Sequence, residues 1–326
     1  MTRPIILSLS QCTDLDLVGG KAVGLARLIT RGFPVPQGFC VTTEAYTQCV
    51  HASGVMEHEE WQKVCALSGN GRASALAECR NRIGQIETSQ LAAQCVTTLQ
   101  ALDQPSNTRW AVRSSATNED AAHTSFAGLY RTHLGVALSD IEAALKDLWV
   151  SLWDERVVSY QARQNNHMVP RMAVVIQPMV EAQSAGVAYS IHPVTGRSNQ
   201  VTINAVLGLA APLVDGTVAP DEYVVEVTDT GQPTRVRRRI LVRKSDRLIV
   251  SKEGLRTDPL NGMTALQSSL TDVQLFSLAE TAKHIERSFG HPVDLEWAFD
   301  TRQLWIVQAR PITAVRPSSD LTNDDC

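Results

Sequence analysis

Thr271-Asp-Val-Gln-Leu-Phe-Ser-Leu-Ala-Glu-Thr-Ala-Lys-His-Ile-Glu-Arg-Ser-Phe-Gly290, followed by Val293-Asp-Leu-Glu-Trp-Ala-Phe299, Asp300-Thr-Arg-Gln303 and Leu304-Trp-Ile-Val-Gln-Ala-Arg310, is the stretch from which the rest of the chain is read. Thr271 and Gln274 make a capping-box pair. Leu275, Leu278, Ala279, Ala282 and Ile285 recur at helical spacing, and Gly290 supplies a stop. The helix these signals predict leads into two alternating runs joined by a polar tetrapeptide, the pattern of a β-hairpin. Strand side chains alternate faces, so Asp294 and Glu296 share one face, as do Gln308 and Arg310. If those faces coincide, a carboxylate, an amide oxygen and a guanidinium converge. Glu296 and Gln308 could then ligate Mg²⁺, which takes oxygen ligands, and Arg310 could neutralise a moving phosphoryl charge. Pattern alone leaves this open against the solvent-facing side of a half-buried hairpin.

Upstream, residues 172–180 form a nearly continuous apolar run broken by Gln177 and Pro178, as in a buried strand leading to a hinge. Strand-like segments follow at 184–190, 201–205, 221–227 and 236–250. Before the run, helical patterns dominate at 22–31, 53–104 and 141–164, with short strands expected at 39–43 and 110–113. The composition shift predicts an α+β fold of two lobes, residues 1–175 and 176–315, with a Ser/Asp/Asn/Pro-rich tail at 316–326. Two lobes joined by a hinge suit a ligand held in a cleft.

Composition narrows the function. The 326 residues are 44% hydrophobic and 20% charged, with a net charge of −4, so no global field favours nucleic acid or an anionic membrane. Seven scattered cysteines without C-x-x-C spacing fit reduced thiols better than a zinc site or disulfide framework. Absence of a secretory or membrane-length apolar run leads to the expectation of a cytoplasmic protein.

Gly19-Gly20-Lys21 stands ahead of the predicted 22–31 helix, where glycine permits close backbone approach and a lysine attracts phosphate. A turn with a solvated lysine is the competing reading, and Ala22 excludes a P-loop. Arg113-Ser-Ser-Ala-Thr-Asn-Glu-Asp120 reads as a strand entering a hydroxyl-rich loop, with Arg113 placed to fork onto phosphate or to make an exposed salt bridge. Ser125-Phe-Ala-Gly128 could cover phosphates as a flap. The basic run from Arg235 to Arg247 reads as a solvated strand edge. His123 and His192 read as satisfied or exposed residues.

The order of these signals resembles the nucleotide-binding region shared by phosphoenolpyruvate synthase, pyruvate phosphate dikinase and rifampicin phosphotransferase. The resemblance rests on Val18-Gly-Gly-Lys-Ala-Val-Gly-Leu25, Gly32-Phe-Pro-Val-Pro-Gln-Gly-Phe39, Thr42-Thr-Glu-Ala-Tyr46 and Ala111-Val-Arg-Ser-Ser-Ala-Thr117. It continues through Ser125-Phe-Ala-Gly128, Gln177-Pro-Met-Val180, Ser184-Ala-Gly-Val187, His192-Pro-Val-Thr-Gly196, Asp294-Leu-Glu-Trp-Ala298 and Gln308-Ala-Arg-Pro-Ile-Thr313.

That resemblance implies an ATP-grasp-like fold and a phosphotransferase using ATP and Mg²⁺. Lys21 and Arg113 would hold phosphates, Gly128 and Thr132 would belong to the flap, and Gln177, Met179 and Val180 would meet the adenine. Glu296 and Gln308 would hold the metal, and Arg310 the phosphates. Family members usually carry glutamates near Asn204 and Ala211, and Asp or Asn where His192 stands. The family's swivelling histidine motif has no counterpart in the chain. The expected acceptor is therefore a histidine on a separate partner protein or a small molecule. Alternatives are an ATP-grasp ligase forming an acyl phosphate and a non-catalytic nucleotide-binding subunit.

Overall fold

The computed structural model describes residues 3–52, 57–117, 130–163 and 171–312. The Ser125–Gly128 flap, Thr313 and the 316–326 tail fall outside them. The fold is α+β with antiparallel sheets. It divides into two compact units, one of residues 1–30, 37–179 and 252–254, the other of residues 31–36, 180–251 and 255–326.

The first unit contains β1 (Ile6–Ser8), α1 (Leu15–Thr30), β2 (Phe39–Val41), α2 (Thr43–Ala52), α3 (Glu57–Ala66), α4 (Gly69–Gly84), α5 (Ser89–Gln100), β3 (Trp110–Ala116), β4 (Thr132–Val136), α6 (Ile141–Ser151), α7 (Glu155–Arg163) and β5 (Met172–Pro178). Its five-stranded sheet runs β1-β2-β5-β3-β4. β5 is central, which explains the unbroken apolar run Met172–Ile176: both faces of the strand are covered. The helices build one core with the sheet, in which Trp61 meets Trp153 and Tyr46 meets Trp149 edge to face, and Trp153 Nε1 donates to Tyr46 Oη (3.3 Å).

Three expectations for this unit are corrected. α1 begins at Leu15 rather than residue 22, because a short first turn is joined to the main helix through a kink at Gly19 (φ 73°, ψ 169°). β3 does not stop at Arg113. Ser114, Ser115 and Ala116 stay in register with Val174, Ala173 and Met172, so the hydroxyl-bearing segment is strand rather than loop. The single helix expected over 141–164 is two, because Asp154 starts a new helix, its carbonyl accepting from Val157 and Val158 (2.9 and 3.2 Å).

The second unit contains β6 (Ser184–Tyr189), β7 (Gln200–Leu207), α8 (Ala211–Val214), β8 (Asp221–Val227), β9 (Pro233–Ile240), β10 (Asp246–Ser251), β11 (Gly254–Pro259), α9 (Asp272–Phe289), β12 (Val293–Phe299) and β13 (Leu304–Pro311). Its six-stranded sheet runs β13-β12-β6-β7-β8-β9. α9 carries the full capping box between Thr271 and Gln274, ends on left-handed Gly290, and buries Leu275, Leu278, Ala279, Ala282 and Ile285. The expected hairpin is β12–β13. The 236–250 segment, expected as one strand, is split into β9 and β10. The chain turns between them because Val242 N and Lys244 Nζ both donate to buried Asp221 (2.9 and 2.8 Å), which also accepts from Ser269 N and Oγ and from Tyr223 Oη. Burial pushes the Asp221 carboxyl up, but Lys244 and these donors outweigh it and hold it below its ordinary value.

Candidate functional site

In the first unit the kink of α1 is seated against β3. Gly19 occupies backbone space essentially reserved to glycine, and a Cβ there would lie 2.1 Å from the Ser115 carbonyl oxygen. Ser115 Oγ donates to Val18 O (2.7 Å) and accepts from Ala22 N (3.1 Å), so one hydroxyl closes the kink from both sides. Two residues past Gly19, buried Lys21 donates to Ser114 O at 2.6 Å. Arg113, also buried, pairs across the ladder with Thr132 at the exposed start of β4. Lys21 and Arg113 are therefore both fixed on the Arg113–Ser115 stretch of β3. Gln177 is buried on β5 opposite Ala111, and Met179 N donates to Arg109 O (2.8 Å). The division between units falls between Met179 and Val180. Gly128 lies outside the described residues.

In the second unit, β12 and β13 pair Asp294 with Arg310 and Glu296 with Gln308, so the two polar faces coincide. They do not form an open, solvent-facing side: Asp294 and Gln308 are buried and Glu296 is half-buried. Arg310 donates to Asp294 Oδ2 from Nε and Nη2, both at 2.8 Å. Burial raises the Asp294 carboxyl above its ordinary value, with Arg310 working against the rise and Glu296 adding to it. The register continues across the sheet. Glu296 stands opposite Val187, then Asn204 and Glu222, while Asp294 stands opposite Tyr189, then Thr202 and Val224. Asn204, near which the resemblance leads one to expect a glutamate, is thus in the same row and on the same face as the carboxylate–amide pair.

The donor set fits Mg²⁺. A carboxylate and an amide oxygen in one register pair suit a hard cation that keeps most of its shell for water and phosphate. Among the described residues there is no group of three or more His, Cys, Asp or Glu of the kind that cages a transition metal. The described cysteines are free thiols, and burial pushes Cys95 up to about 12 and Cys79 to about 11, so both stay protonated.

His192 is a satisfied ring, as expected, and its partners belong to its own turn. Its Nδ1 accepts from Val194 N and Thr195 N, each at 3.3 Å, as an Asx side chain does at the head of a turn. Gly196 N closes the turn onto His192 O (2.8 Å). Burial first, then the charges of Arg197 and Arg238, lower its pKa, so the ring is kept neutral with an acceptor facing the turn. Sequence reading missed the Ser114–Ser115 clamp on α1, whose only local signal is the paired glycines. It also missed the Asp221 hub, whose members are scattered from residue 221 to 269.

Among the described residues no helix is long and apolar enough to cross a membrane. The family model for the pyruvate phosphate dikinase AMP/ATP-binding domain matches residues 15–324. A probable phosphoenolpyruvate synthase of Pyrococcus horikoshii is 32% identical over 94% of the chain and 43% of its own length. A rifampicin phosphotransferase of Streptomyces sviceus is 34% identical over 97% of the chain and 37% of its own length. An uncharacterised phosphotransferase of Bacillus subtilis is 29% identical over 92% of the chain and 34% of its own length. The chain therefore spans less than half the length of these relatives.

Proposed function

Because the chain belongs to the pyruvate phosphate dikinase AMP/ATP-binding family, we propose that it is an Mg-ATP-dependent phosphotransferase module of ATP-grasp-like fold, working in the cytoplasm. The observation that carries this reading is the register of β12 and β13, which puts Glu296 opposite Gln308 and Arg310 opposite Asp294 on one face. Glu296 and Gln308 would hold Mg²⁺. The ion would supply charge neutralisation of the transferring phosphoryl group. Arg310, its planar guanidinium oriented by Asp294, would contact phosphate oxygens. Lys21 and Arg113, anchored on β3, would hold phosphates, and Thr132 and Gly128 would belong to the flap. Gln177, Met179 and Val180 receive the adenine. Phosphoryl transfer needs little covalent help from protein, so positioning and charge are the whole contribution asked of these side chains.

The acceptor we propose is a histidine on a partner domain, or a small molecule. Calorimetric titration of the chain with ATP, in Mg²⁺ and again in EDTA, tests the binding half. Saturable uptake that depends on the metal and weakens in Glu296→Gln is expected, and no uptake overturns the proposal. For transfer, the chain is mixed with ATP and a separately expressed histidine-bearing domain, and ³¹P NMR follows the products. A new phosphohistidine resonance is expected. Nucleotide binding without turnover under any acceptor would make the chain a non-catalytic nucleotide-binding subunit.

A further inference from the structure

The basic strand β9 and the His192 turn belong to no part of the nucleotide reading, yet they lie together. β9 is the edge of the six-stranded sheet. Its arginines are not equivalent. Arg235 and Arg237 both donate to Glu226 (2.6 and 2.7 Å), and Arg239 stacks over Tyr223 and pairs with Asp272. The guanidiniums of Arg238 and Arg197 make no hydrogen bond or ion pair with a described residue. His192 N donates to Arg197 O (3.1 Å), and both charges bear on the His192 ring.

The backbone register extends the cluster. Arg238 stands opposite Val224, and Val224 opposite Thr202, which continues the row that begins Arg310–Asp294–Tyr189. Alternation then puts Arg238 and Thr202 on the same face as Glu296 and Arg310. Thr202 Oγ1 is buried without a partner, and so is Thr195 Oγ1 in the His192 turn. Buried hydroxyls are ordinarily satisfied. Two orphan hydroxyls, one in the turn that carries Arg197 and one in the sheet row that ends on Arg238, make with those guanidiniums a set of donors with no acceptor among the described residues.

We propose that Arg197, Arg238, Thr195 and Thr202 form an oxyanion site for a dianionic phosphate group, distinct from the polyphosphate residues of the hairpin and lying farther along the same sheet face. Two planar guanidiniums match the charge of the dianion and can each bind it in bidentate fashion. His192, kept neutral, can donate from Nε2 while Nδ1 holds the turn. The site deepens the proposed function and rests on it for its role: it would hold the phosphate of an acceptor, or phosphate itself, on the face that carries the transferring group.

The test uses the full chain and inorganic phosphate as probe. The titration of His192 is followed by NMR, with chloride at equal ionic strength as control, in the presence and absence of Mg²⁺ and a non-hydrolysable ATP analogue. Equilibrium dialysis with labelled phosphate gives an independent affinity. A bound dianion should raise the His192 midpoint by at least about half a unit in saturable fashion, whether or not the analogue is present. Arg238→Gln and Arg197→Gln should each weaken phosphate binding about tenfold, and the double variant should abolish it. A shift no larger than that with chloride, or one that survives in the double variant, overturns the proposal. Analogue binding without a phosphate response sinks this inference alone. A phosphate response without analogue binding sinks the nucleotide reading alone. A further arm with pyruvate in place of phosphate tells a general carboxylate site from a phosphate site, and equal affinity for the two also overturns the assignment.

Discussion

The Lys21–Arg113 region and the β12–β13 hairpin hold their candidate phosphate groups by opposite means. Around Lys21 the main chain does the holding: a glycine kink, a carbonyl acceptor and one serine hydroxyl fasten α1 to β3. On the hairpin, side chains hold one another, with Asp294 gripping Arg310 and Glu296 facing Gln308. The first arrangement tolerates change at Lys21 but not at the kinked backbone or at the Ser115 hydroxyl that closes it. The second tolerates backbone changes that keep the register but not the loss of a single polar group.

The contrast breaks most readily at Gly19. Gly19→Ala puts a Cβ into the Ser115 carbonyl in a backbone conformation closed to alanine, and should cost roughly 3 kcal/mol or more in urea unfolding. A loss under about 1 kcal/mol would show that the kink is not held by main-chain fit. On the hairpin, Glu296→Gln keeps the shape and removes the charge. Metal-dependent nucleotide affinity should fall about 10- to 100-fold, while stability stays within about 0.5 kcal/mol. A variant that unfolds instead would mean that the pair is structural. Lys21→Met should weaken nucleotide binding about tenfold in calorimetry, roughly 1.4 kcal/mol. Unchanged affinity would reduce Lys21 to a strut for Ser114.

The smallest effect tests the His192 turn. Its folded pKa lies below the ordinary value near 6.5, so folding disfavours the imidazolium. The stability it contributes is whole above that ordinary value and is lost as pH falls through it toward the folded one. Thermal melts between pH 7.5 and 5 should show this slope in the parent and lose it in His192→Asn, which keeps the acceptor but does not titrate.

How much was legible in sequence follows the same division. The hairpin, its register and α9 could be read because strand alternation and helix capping are local rules, and Thr271, Gln274 and Gly290 obey them. Arg113 and Lys21 could be singled out, but not how they are held, because Ser114 and Ser115 lie 93 residues from the helix they clamp. The Ser-Ser-Ala segment looked like a loop since small hydroxyl residues favour turns, and only pairing with β5 keeps it extended. The 141–164 helix looked continuous because its apolar period survives the break at Asp154. The split of β9 from β10 depends on a carboxylate far back in the chain.

That carboxylate has a consequence for how the second unit opens. Asp221 gathers the amide of Val242, the ammonium of Lys244 and both donors of Ser269, groups from two separate stretches of chain, around a side chain on a third that has no exposed surface. Releasing any one stretch strands a buried ion, so the three are bound to let go together. The amide protons of Val242 and Ser269 therefore share one opening event, and the β9–β10 turn is only as mobile as the segment that leads into α9.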